Sequence, residues 1–123
     1  MSLLVDVFVR DPDGTLRIPD ADAYESGGFE SWRTTVWGSA CVRALGARLL
    51  PVLADGDLYA EADQVPELLA EVALLRDHLD EIAHGTRRPR GVEEHRDGIE
   101  DRLRIIEENC HKALAIGGGV LIW

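Results

Sequence analysis

The spacing of apolar positions changes several times along the chain, and each change marks an element. Residues 3–9 (Leu-Leu-Val-Asp-Val-Phe-Val) are β-branched and aromatic, with Val5, Val7 and Val9 alternating, which predicts a strand. Arg10-Asp11-Pro12-Asp13-Gly14 supplies a turn, because Pro fixes φ and Gly accepts a tight reversal. Thr15–Ile18 alternates again, so a short hairpin partner ending at Pro19 is expected. Residues 19–30 are mostly Asp, Ala, Glu, Ser and Gly and read as a loop closed by Gly27-Gly28. From Phe29 the period becomes helical. Trp32, Val36, Ala40 and Leu45 share a stripe with Val42 and Leu49 beside it; Gly38 and Gly46 weaken this helix by roughly 1 kcal/mol each relative to Ala, and Pro51 stops it. Residues 52–62 read as a connector with a turn at Asp55-Gly56-Asp57.

Two long helices are expected next. Asp63 is the N-cap expected for the first, with Pro66 in its first turn, and Val65, Leu68, Leu69, Val72, Leu75, Leu79 and Ile82 step by three and four. Gly85 stands where a left-handed cap belongs. After the Thr-Arg-Arg-Pro-Arg-Gly loop, Val92, Ile99, Leu103, Ile106, Cys110, Ala113 and Leu114 repeat the pattern to about Ile116. Glu100 with Arg104 and Glu108 with Lys112 have the i,i+4 spacing of helical ion pairs. Gly117-Gly118-Gly119 breaks the helix, and Val120-Leu121-Ile122-Trp123 is an apolar strand that needs cover, best found beside Val5–Val9. The expected fold is α+β, mainly helical, in one domain over residues 1–123. An antiparallel αα-hairpin and an N-terminal helix pack with a small sheet formed by the N-terminal strand or hairpin and the C-terminal strand.

Composition narrows the function classes. With 46% hydrophobic and 29% charged residues in 123, the chain has the balance of a globular domain, which excludes wholesale disorder. Its apolar runs fall far short of the roughly 20 residues that span a bilayer, and no basic segment precedes a hydrophobic one as in a secretory signal. The net charge of −10 repels a phosphate backbone, so a nucleic-acid partner is not expected. Arg87, Arg88 and Arg90 form the one basic cluster, without an interleaved aromatic, and read as a solvated loop. Cys41 and Cys110 make no metal-type pair and sit at core spacing, as in a reducing cytoplasm.

No constellation supplies catalytic chemistry. The triple glycine follows a helix and precedes a strand, the reverse of a phosphate loop. Asp11-Pro-Asp13-Gly14 and the Asp55, Asp57, Glu61, Asp63 series depart from the calcium-loop pattern. His78, His84, His95 and His111 lack metal-ligand spacing and read as surface residues, although His78 and His95 could approach across the helix pair. Ser31, Ser39, Cys41 and Cys110 occupy no nucleophile elbow. The expectation is a protein that is not an enzyme and carries no metal or cofactor. The alternatives are a small enzyme or metal-binding protein with its site on the 63–84/92–116 helix pair, and a homodimeric structural protein.

Recognition is the remaining possibility. Trp32 and Trp37, five residues apart, lie about 140° apart on a helix, which leaves two readings: both edge the core, or one enters it and the other stays partly exposed as a binding anchor. Asp20, Asp22, Glu25 and Glu30 could ring that aromatic and steer a basic partner. The Trp37 helix running into Leu49-Leu50-Pro51-Val52-Leu53, the two long acidic helices, and the ending Ile116-Gly-Gly-Gly-Val-Leu-Ile-Trp123 carry a resemblance. Over about two-thirds of its length the chain resembles small acidic bacterial immunity proteins of polymorphic toxin systems. The resemblance implies a non-catalytic protein that docks on a basic toxin face and carries over no binding residue.

Overall fold

The alternating N-terminal segment becomes the central strand of an open antiparallel sheet. In the computed structural model, residues 2–19, 25–86 and 91–123 are described. Strand β1 (Ser2–Arg10) is flanked on one side by β5 (Gly119–Ile122). On its other side β2 (Leu16–Arg17) pairs near one end and β3 (Ser26–Phe29) near the other. Strand β4 (Leu58–Ala60) pairs with β5 and forms the outer edge. The C-terminal strand thus lies beside Val5–Val9, with Val5 opposite Ile122 and Val7 opposite Val120.

Among the described residues, helices cover one face only. Leu3, Val5, Leu58, Ala60, Val120 and Ile122 point into a core shared with Val65, Leu68, Val72 and Leu75 of α2 (Val65–Arg76), Leu79 and Ile82 of α3 (Leu79–Gly85), and Ile99, Leu103, Ile106, Cys110 and Ala113 of α4 (Val92–Ile116). Each fully buried Leu or Ile of this layer contributes about 2 kcal/mol relative to exposure. The helical layer packs antiparallel as expected, since Arg76 meets Glu107, Asp80 meets Arg96 and Thr86 meets His95, and the α+β, mainly helical class is the observed one.

Several boundaries differ from the sequence expectation. The first expected long helix breaks at Asp77-His78 into α2 and α3. It begins at Val65, not at an Asp63 cap, because Glu61 and Gln64 form a reciprocal capping box around a 3-10 turn. The Phe29–Leu49 segment is no continuous helix. A π-helical turn (Arg33–Trp37) ends at Gly38, and a short α1 (Ala40–Ala44) starts afresh under the Ser39 side chain, which accepts from Val42 N–H. A Cβ at Gly38 would lie 2.5 Å from the Arg33 carbonyl, so the glycine closes one helix against itself. The loop expected over 19–30 contains β3, and the connector over 52–62 contains β4.

The left-handed cap belongs to Gly117 (φ 69°), whereas Gly85 stays helical and lets α3 approach α1: a Cβ there would sit 3.0 Å from Cys41 Sγ. Gly118 and Gly119 meet different demands, since their Cβ atoms would lie 2.3 Å from the Phe8 and Ala60 carbonyls respectively. The linker expected from helix to strand is therefore also a contact surface. Arg104 pairs with Asp101 and Lys112 with Glu25, instead of the expected helical partners.

Candidate functional site

The face of the sheet turned away from the helices carries the candidate site. Alternation puts Leu4, Asp6, Phe8 and Arg10 of β1, Leu121 and Trp123 of β5 and its end, and Tyr59 of β4 on this side, and none belongs to the core shared with the helices. Phe8 and Leu121 are nonetheless buried by their neighbours. The Phe8 ring lies over Gly119, where a Cβ would come within 2.6 Å of it, and meets Tyr59 edge-on at 6.3 Å. The Arg10 guanidinium covers the same ring at 5.4 Å and forks onto both Glu61 oxygens. That hydrogen bonding holds Arg10 above its ordinary value. The Trp123 indole N–H donates to Asp6 Oδ2 at 2.8 Å, which satisfies a nearly buried carboxylate.

Two aromatic side chains stand out from this surface: Tyr59 is 47% exposed and Trp123 44%. Leu121 lies opposite Tyr59 and two residues before Trp123, so the three form one apolar band. The band borders an acidic stretch. Between Arg48 and Arg76 the chain has six acidic residues and no Lys or Arg. Four of them, Asp55, Asp57, Glu61 and Asp63, flank β4. Asp57 pairs with Arg33 and Glu61 with Arg10, while Asp55 and Asp63 are exposed and pair with no described residue.

Two ionic devices, one buried and one partly buried, hold this edge in place. Glu71 on α2 accepts the backbone N–H groups of Arg48, Leu49 and Leu50 at 2.6–2.9 Å, so a carboxylate from a distant helix caps the 3-10 turn Leu50–Ala54. Arg33 donates to the carbonyls of Leu53 and Gly56 and to the carboxylates of Asp57 and Glu30. Partial burial pulls its guanidinium down, but hydrogen bonds to Asp57 and then Glu30 outweigh that and leave it raised.

The residues singled out from sequence lie elsewhere. Neither Trp32 nor Trp37 is exposed: the first is 7% and the second 0% accessible. The helix assumed for them does not form. Instead the π-helical turn folds their rings edge-to-face at 5.7 Å, and Trp37 donates to the Gly27 carbonyl. Phe29, exposed beside Trp32, is the aromatic that does face solvent there. Glu30 is held by Arg33 and Glu25 by Lys112, so the structure does not gather them into a ring around an aromatic. Asp20 and Asp22 lie outside the described residues, as do Arg87, Arg88 and Arg90.

The helix pair builds no ligand constellation among the described residues. His95, expected at the surface, is buried edge-on against Trp32 with Nε2 2.8 Å from the Thr86 hydroxyl. That hydroxyl already donates to the Ile82 carbonyl, so His95 is the donor. His78 turns to the Leu74 carbonyl of its own helix. No group of three or more His, Cys, Asp or Glu among the described residues could hold a metal ion. Burial, with a lesser push from Glu107, raises the Cys110 thiol to about 12, and burial with Glu81 raises Cys41; neither is a thiolate near neutral pH. No helix of the described residues is long and apolar enough to cross a membrane.

Compared with protein-family models, with curated proteins and with solved structures, the chain finds no match. Sequence reasoning missed Tyr59 and Trp123 as a pair. The signal was present in the alternation Asp57-Leu58-Tyr59-Ala60-Glu61, a polar-apolar strand pattern inside a segment without bases. Glu71 also announced itself, falling three after Leu68 and four before Leu75 on an apolar stripe.

Proposed function

We propose that this chain is a non-catalytic interaction protein whose uncovered sheet face docks on a basic protein. One observation carries the reading: Tyr59 and Trp123 stand about half exposed on a sheet face that no helix of the described residues covers, beside an edge flanked by four acids. Half-exposed aromatics on a rigid surface are the usual anchors of protein interfaces, and a surrounding field of one sign raises the association rate of an oppositely charged partner. The concrete form of the reading is occlusion of a basic toxin by an immunity protein, the class the sequence resembles. The free thiols Cys41 and Cys110 support a reducing cytoplasm as its compartment. The net charge of −10 weighs against a nucleic-acid partner and against a homodimer through this face.

The test begins with a photo-crosslinking residue at Tyr59 and, as a control on the helical side, at Leu114. Position 59 should trap a basic protein that position 114 does not. The complex rebuilt from purified components should associate faster at low salt, and Asp55→Asn with Asp63→Asn should slow association and flatten that salt dependence. A rebuilt complex whose on-rate ignores both substitutions and salt would overturn the proposal.

A further inference from the structure

Edge strand β4 offers backbone as well as side chains. Leu4 and Trp123 exchange both backbone hydrogen bonds, N–H to O at 2.8 Å and 3.0 Å. In an antiparallel ladder such pairs alternate, so Gly119 and Leu121 also turn toward β1, while Val120 and Ile122 turn toward Ala60 and Leu58. The N–H and C=O of Tyr59, between those two, therefore point out of the sheet. Past Tyr59 the edge is closed, because the amide of Glu61 donates to Gln64 Oε1 and its carbonyl accepts the Gln64 amide. A free edge is a template for another strand, and charges beside it decide which strand is admitted. Here Asp57 and Glu61 precede and follow Tyr59 at two-residue spacing, that of one strand face. Arg33 and Arg10 balance these two, and Asp55 and Asp63 beyond them, which pair with no described residue, leave the edge negative.

We infer that β4 binds its partner by strand addition, and that the added strand is a short basic one with Lys or Arg on either side of an apolar residue, all on one face. This deepens the docking reading and rests on it. The apolar residue would lie across from Tyr59 and exchange two backbone hydrogen bonds with it. Its basic neighbours, running alongside Asp57 and Glu61, would meet the negative charge that Asp55 and Asp63 leave on this edge. Opposite charges across a ladder attract and like charges repel. The acids that admit a basic strand thus turn away β4 of a second copy.

The probe is the blocked peptide acetyl-Gly-Arg-Thr-Val-Thr-Arg-Gly-amide, titrated into the full chain and followed by NMR, with a Glu-for-Arg version beside it. The Arg peptide should shift β4 and β5 resonances and slow exchange of the Tyr59 amide, and the Glu peptide should do neither. Tyr59→Ala and Tyr59→Pro separate ring from backbone, since both lose the aromatic and only proline loses the outward N–H, at an edge position that tolerates it. Tyr59→Pro should bind about tenfold more weakly than Tyr59→Ala, one lost hydrogen bond with the added bulk of the ring. Circular dichroism confirms that both variants are folded. Equal binding by the two variants would overturn strand addition and leave the docking face standing. No shift at millimolar peptide, or equal binding of the Glu peptide, also overturns it. Self-association of the chain that Tyr59→Pro abolishes would replace the basic partner by a second copy and overturn it too.

Discussion

The two faces of β5 differ in kind although they alternate residue by residue. Val120 and Ile122 are sealed against α4 and the other helices, whereas Leu121 and Trp123, their neighbours, lie on a face that has no second layer among the described residues. On the sealed side polar groups are few and tied down, as Glu71 is by three amides. On the open side Phe8 is buried between a glycine and an arginine, while Tyr59, edge-on to it, and Trp123, bonded to a carboxylate, stay partly in water. The difference separates two tasks within four consecutive residues: one side holds the molecule together and the other is left for contact.

Substitutions on the two sides should differ accordingly. Ile122→Ala removes a fully buried side chain and should lower unfolding free energy by about 4 kcal/mol in urea titration. A loss under about 1 kcal/mol would mean that the sealed side is not packed as described. Glu71→Ala should cost about 3 kcal/mol by the same measurement, because three amides lose their acceptor, and Glu71→Gln should recover part of it. Trp123→Ala, on the open side, should cost only about 1 kcal/mol, mostly the indole bond to Asp6. Tyr59→Ser should fall near 0.5 kcal/mol, within the range of ordinary surface changes, while weakening partner binding.

A pH series sharpens the sealed side further. The Cys110 thiol is raised on folding from about 9 to about 12, so the stability it contributes is complete below the lower value and is lost as pH rises toward the upper one. Wild-type stability should therefore fall across that alkaline window more steeply than that of Cys110→Ala. Parallel curves for the two proteins would show that the thiol titrates freely in the native state.

The sealed side was readable in the sequence because burial on one face imposes a period. The stripes on α2 and α4, the β1 pattern and the pairing of the chain's two end strands all follow from where Leu, Ile and Val recur. The break at Asp77-His78 was not readable, since the apolar spacing runs through it undisturbed. The π-helical turn escaped for a related reason: it rotates Trp32 and Trp37 onto one another, and an assumed 100° step sends them apart. The candidate site was harder still. Its members come from three strands distant in sequence, and Tyr59 sits in a strand of only three residues, too short to establish a period by itself.

Arg33 has one more consequence. By gripping two carbonyls and two carboxylates it fastens the turn before β4 to the helical turn beneath. A binding edge clamped in this way is pre-organised. The conformational entropy that a loose loop would surrender on being caught is surrendered when the chain folds, so an encounter with a partner need not supply it.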